Sequence, residues 1–103
     1  MSSPLVSVII PVYNGQAYLR PTLKSVFAQD YRPLEVIAVD DGSIDRSAEI
    51  IRSFPEVVYL YQDNRGHAAA RNAGISAANG EFLAFLDADD LWPPDKLNLH
   101  LNP

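Results

Sequence analysis

Four short apolar runs recur along the chain: Leu5–Ile10, Leu34–Val39, Val57–Tyr61 and Phe82–Leu86. Each has the length of a strand, and each gap between them is long enough to carry a helix. The runs are apolar on both alternating faces, as strands are when helices cover a sheet on both sides. The pattern βαβαβαβ predicts an α/β fold with a doubly wound, mainly parallel sheet and right-handed crossovers. In such a sheet, ligands bind beyond the carboxyl ends of the strands, where the strand order reverses. With order 3-2-1-4, that crevice brings Pro11-Val12-Tyr13 beside Asp87-Ala88-Asp89, with Asp40-Asp41 on the flank.

The connecting segments have their own signals. Pro11 is expected to stop the first strand, leaving Val12-Tyr13-Asn14-Gly15 as a loop. Leu19, Leu23, Val26 and Phe27 then recur at helical spacing, with Pro21 tolerable only in the first turn. Asp40-Asp41-Gly42-Ser43 reads as a turn, and Asp45 suits the start of a helix that carries Ala48, Ile51 and Phe54 and ends at Pro55. A helix is predicted over His67–Ala78, where Ala69, Ala70, Ala73 and Ala77 permit a close approach to the sheet. Asn79-Gly80 would stop it.

The fourth run ends in three carboxylates, Asp87, Asp89 and Asp90. An unpaired carboxylate beside a core is costly to desolvate, so solvent or a cation must take them. The first strand-to-helix turn lacks G-x-G-x-x-G, and no Walker A stretch occurs, so backbone cradling of ATP or a dinucleotide is not expected. Carboxylates alone would repel a phosphate by roughly 4 kcal/mol at ~4 Å. Mg²⁺ or Mn²⁺ reverses the sign, because such ions are commonly shared between carboxylates and phosphate oxygens. A metal-bound nucleoside diphosphate therefore suits this strand end.

Composition removes several alternatives. Of 103 residues, 48% are hydrophobic, enough for one core. The formal charge of −5 argues against a nucleic-acid surface. The lack of cysteine excludes disulfides and thiolate sites. With neither an export signal nor a run of ~20 apolar residues, the expected location is cytoplasmic, at the cytosolic membrane face for a longer protein.

Five segments in one order resemble family 2 glycosyltransferases: Val6–Gly15, Val39-Asp40-Asp41-Gly42-Ser43, Asn64-Arg65-Gly66, Ala70-Arg71-Asn72-Ala73-Gly74, and Asp87-Ala88-Asp89-Asp90, a D-x-D motif. The resemblance covers nearly all of the chain. It implies a Rossmann-like half of a GT-A fold and transfer of a sugar from a nucleotide donor, usually with inversion. By position, Pro11 and Tyr13 resemble residues lining the nucleobase, and Asp41 the carboxylate that accepts from a base N–H. Arg71 resembles the basic residue near the diphosphate, Asp87 the position near ribose or metal, and Asp89 the direct metal ligand. A UDP-sugar is the favoured donor, and the acceptor is open among glycan, lipid and protein. The family continues with a second half that binds the acceptor and supplies a base. Residues 1–103 are thus expected to be the N-terminal, nucleotide-sugar-binding part, with no catalytic base, no transfer activity of its own, and a tendency to self-associate.

Blander readings stand beside these. Asp40–Ser43 alone is a turn with a cap, Asp90 is a cap or a metal ligand, and Trp92 packs. Arg65, His67 and His100 are read as solvated surface residues. The competing functions are a metal-dependent nucleotidyltransferase, which would show a Gly-rich basic loop after strand one, and a non-catalytic module that binds sugar nucleotides.

Overall fold

The computed structural model describes residues 3–97, so His100 lies outside the described residues. The elements run β1 (Val6–Val12), α1 (Leu19–Phe27), β2 (Leu34–Asp41), α2 (Ser47–Arg52), β3 (Val57–Gln62), α3 (His67–Ala77) and β4 (Phe82–Phe85). All pairings are parallel and the order is β3-β2-β1-β4, as the alternation predicts.

The two faces of β1 explain its apolar run. Val6, Val8, Ile10 and Val12 pack with Leu19, Leu23 and Val26 of α1 and Ile50 and Ile51 of α2. Ile9 points the other way, against α3, where a Cβ on Gly74 would stand 2.5 Å from its Cγ2. All seven residues of β1 are buried. Every second one serves a different layer, which is why the sequence shows no alternation.

Several boundaries differ from the expectation. Pro11 does not stop β1; it lies within the strand, in register with Val39. Pairing of β1 with β4 ends at Ile9↔Phe85, and the Leu86 N–H donates to the Ile9 carbonyl. Pro11, two residues on, therefore turns its missing N–H toward a side where no strand remains. Asp40 and Asp41 are likewise the last residues of β2 rather than a turn. Helix α2 is only six residues long, and Phe54 packs from beyond its end.

The close approach of α3 rests on Ala70 and Gly74, its two buried residues, while Ala77 is exposed. Gly80 is not a left-handed cap. It is needed because a Cβ there would fall 2.6 Å from Ser7 Oγ, and α3 ends instead in extended backbone at Ala78. Finally, Phe82–Leu86 is not buried throughout as its composition suggests: Leu86 is in the core and Ala84 packs against it, but the rest is exposed. β4 is an edge strand with Phe82, Leu83 and Phe85 all exposed, because no element among the described residues covers its outer side.

Candidate functional site

At the carboxyl edge of the sheet, the loops after β1 and β2 are cross-linked. The Asn14 N–H donates to Ser43 Oγ (2.9 Å), and Asn14 Oδ1 accepts from the Ile44 N–H (2.9 Å). The Gly15 N–H donates to Ser47 Oγ (2.9 Å) and the Gln16 N–H to Asp45 Oδ2 (3.0 Å). Asp45 also accepts from the Ser47 N–H (2.9 Å); it sits one residue before the N-cap Arg46, so it satisfies the first N–H of α2 from outside the cap position while bracing the first loop. Asn14 sits at φ 51°, a conformation that asparagine tolerates better than most side chains. Tyr13 is thereby held on a fixed backbone, and the residue is 54% exposed.

The adjacent aspartates at the end of β2 do different work. Asp40 is buried and accepts from Tyr59 Oη (2.7 Å) and the Ser43 N–H (2.9 Å). Burial, reinforced by that hydrogen bond, pushes the Tyr59 hydroxyl up to about 12. Asp40 is thus a tie between strands. Asp41 lies on the opposite face, where it accepts from Gln62 Nε2 (2.8 Å), the Arg65 N–H (2.7 Å) and the Gly66 N–H (3.0 Å). Burial raises its pKa, but these bonds outweigh burial and hold the carboxyl below its ordinary value. Gly66 reaches its donating position at φ 101°, where a side chain would be strained.

The loop after β4 is anchored from α1. Thr22 Oγ1 lies 2.9 Å from the Ala88 carbonyl and 2.6 Å from that of Asp90, and its single proton serves both. The Asp90 N–H donates to the Asp87 carbonyl (3.0 Å), and Asp90 Oδ1 accepts from the Leu91 N–H (3.0 Å). Asp90 therefore acts as a local cap. Trp92 is buried, as a packing role requires. Asp87 and Asp89 remain exposed at the cleft.

Two clefts result. One, of about 420 Å³, is lined by Pro11, Tyr13, Tyr18, His67, Asp87 and Asp89 among others. The second, of about 250 Å³, includes Pro11, Tyr13, Asp41, Asn64, Gly66 and His67 in its lining. Pro11, Tyr13 and His67 belong to both. The structure thus gathers Pro11, Tyr13, Asp41, Asp87 and Asp89 at one edge. It does not bring Arg71 there: the Arg71 guanidinium lies 4.2 Å over the Phe85 ring, beside a separate hollow. His67, read from sequence as a surface residue, is the addition, with Nε2 3.7 Å from Asp87 Oδ1. Its signal in the sequence was position: it opens the helix that follows β3, at the carboxyl edge. Tyr18, which lines the first cleft, was not singled out either, whereas Asn64 of the second belongs to the Asn64-Arg65-Gly66 segment.

Among the described residues, no three acidic or imidazole groups converge to cage a metal ion. The donors at this edge are instead two exposed carboxylates on one short loop. Such a set fits an octahedral Mg²⁺ or Mn²⁺ whose remaining positions are filled by diphosphate oxygens and water.

The sequence matches the profile of Glycosyl transferase family 2 over residues 7–103. The chain belongs to this family. Among curated relatives, an uncharacterised glycosyltransferase of Rickettsia typhi is 44% identical over 101 residues, which are 97% of this chain and 32% of that protein. The chain therefore spans about a third of that relative's length. S. aureus TarS (residues 1–349, in complex with UDP) superposes with a TM-score of 0.87 at 31% identity, over 92% of this chain and 30% of the other. The Pyrobaculum calidifontis mannosyltransferase, in complex with GDP-Man and Mn²⁺, gives 0.83 at 34% identity, over 89% and 29%. The parallel α/β sheet is thus that of a GT-A glycosyltransferase fold.

Proposed function

We propose that these residues form the donor-binding part of a glycosyltransferase that transfers a sugar from a nucleoside diphosphate to an acceptor, with inversion. The observation that carries the reading is the pair of clefts sharing Pro11 and Tyr13. One has Asp41 at its floor, and the other opens on Asp87 and Asp89. A nucleoside diphosphate has that sequence of parts: a planar base, then a ribose, then two anionic groups. The TarS complexes with UDP and UDP-GlcNAc support a uridine donor, and the mannosyltransferase complex supports a divalent ion.

The geometry supports the roles that the resemblance implies for Tyr13, Asp41 and Asp89. Tyr13 offers an exposed ring face for stacking. Asp41 Oδ2 has a single N–H partner, Gly66, so it keeps capacity for a base N–H. Asp89, with Asp87 beside it, would hold Mn²⁺ or Mg²⁺ against the diphosphate. When bound, such an ion supplies Lewis-acid stabilisation of charge on the departing diphosphate. Arg71 keeps its diphosphate role by resemblance alone, and serving there would require it to leave the ring of Phe85. No side chain of this chain is assigned as the base.

The test is thermal. A ligand at 100 times its dissociation constant stabilises a fold by about 2.7 kcal/mol. UDP with Mn²⁺ should raise the melting temperature, UDP with EDTA should not, and Asp89→Ala should lose the metal-dependent part. Equal shifts with Mn²⁺ and EDTA would sink the metal assignment.

A further inference from the structure

We infer that His67, paired with Asp87, reads the ribose of the bound nucleotide and makes the site selective for ribo- over deoxyribonucleotides. The inference rests on the donor reading above and extends it to a residue that the family motifs do not supply. His67 lines both clefts, the one floored by Asp41 and the one opening on Asp89. A nucleotide with its base in the first and its diphosphate in the second must pass its ribose between them. Pro11 and Tyr13, the other shared residues, offer a pyrrolidine and a ring on that passage, while the phenol is the only other polar group they bring.

The pair is built for two adjacent hydroxyls. His67 Nε2 stands 3.7 Å from Asp87 Oδ1, too far for a direct hydrogen bond. Both side chains are more than half exposed, at 59% and 66%, so neither is committed to a partner in the fold. A carboxylate accepts only, whereas a neutral imidazole carries one donor and one acceptor nitrogen. One hydroxyl of a cis-diol can donate to Asp87, and its neighbour can pair with the imidazole. The backbone beneath His67 is fixed by the Gly66 N–H bond to Asp41 and by the Ala70 N–H bond to the Gly66 carbonyl (3.1 Å). The backbone that carries the ring is therefore fixed at the rim of the base cleft.

Isothermal calorimetry with Mn²⁺ tests this on the whole chain, using UDP and GDP, each beside its 2′-deoxy and 3′-deoxy forms. The parent should bind the tighter ribonucleotide about threefold to tenfold better than either deoxy form, the range expected for one hydrogen bond. His67→Ala should keep its preference over one deoxy form and lose it over the other, while His67→Gln, which retains a donor and an acceptor, restores part of it. Melting temperatures without ligand should nearly match, because the half-exposed His67 side chain makes no hydrogen bond among the described residues and its contact with Asp87 is a solvated one. If His67→Ala shows the parent's ratios over both deoxy forms, the inference is overturned and the donor reading stands. A parent chain that binds no nucleotide overturns both.

Discussion

Replacing Gly74 by alanine tests the contact that sets the depth of α3 on the sheet, and with it the position of His67. In an exposed helix the change would stabilise by about 1 kcal/mol, since glycine is the poorer helix former. Here the new Cβ would meet Ile9 Cγ2 at 2.5 Å and Cγ1 at 3.2 Å. Ordinary contact begins near 3.4 Å, so the first overlap is about 0.9 Å. Ile9 has no room to yield: it is 0% exposed and paired with Ile37 on one side and Phe85 on the other. Its branched side chain is also stiff at χ1. The strain therefore belongs at the upper end of overpacking costs, about 3 kcal/mol, leaving a net loss of about 2 kcal/mol. For a domain of this size that corresponds to a fall in Tm of roughly 8–16 °C. Urea and thermal unfolding, followed by the fluorescence of buried Trp92, would measure it. Ile9→Ala removes the offending atoms, so in that background Gly74→Ala should stabilise by about 1 kcal/mol. A Gly74→Ala chain that melts at or above the parent temperature would refute the packing argument.

Tyr13→Ala should weaken UDP binding by about 1–3 kcal/mol, the scale of base stacking on an aromatic ring, with its Mn²⁺ dependence intact; a competition assay showing parental affinity would place the base elsewhere. Asp41, Asp45 and Glu35 are each raised by burial but lowered further by the hydrogen bonds they accept, ending below their ordinary values. A lowered folded pKa stabilises fully above the unfolded value, about 4, and the gain is lost as pH falls through the folded one. Stability should therefore drop below about pH 4, and Asp41→Asn should lower stability at pH 7 while flattening that acid limb; an unchanged limb would refute the assignment. Among the described residues β4 presents an unpaired edge with Phe82, Leu83 and Phe85 exposed, so we expect concentration-dependent self-association that Leu83→Lys reduces. Sedimentation showing a monomer at every accessible concentration would count against it.

The sequence by itself determined the architecture, because four apolar runs separated by helix-length segments admit few arrangements other than a parallel sheet with order β3-β2-β1-β4. Local chemistry marked the acidic strand end at Asp87, Asp89 and Asp90, and it was the resemblance to the family that singled out Pro11, Tyr13 and Asp41. What it did not reveal was decided by neighbours distant along the chain. Pro11 sits inside β1 only because β4 ends opposite Ile9. Asp40 and Asp41 look alike in sequence, but adjacent strand residues point to opposite faces, so one ties Tyr59 and the other the Gly66 loop. Arg71 lies over Phe85 because α3 passes beside β4, which no motif records. His67 gained its place in the same way: a lone histidine carries no local signal, and only the packing of α3 against β1 brings it within 3.7 Å of Asp87. Periodicity is a property of neighbouring residues, whereas a site between strand ends is made of long-range contacts that the sheet fixes only once it has formed.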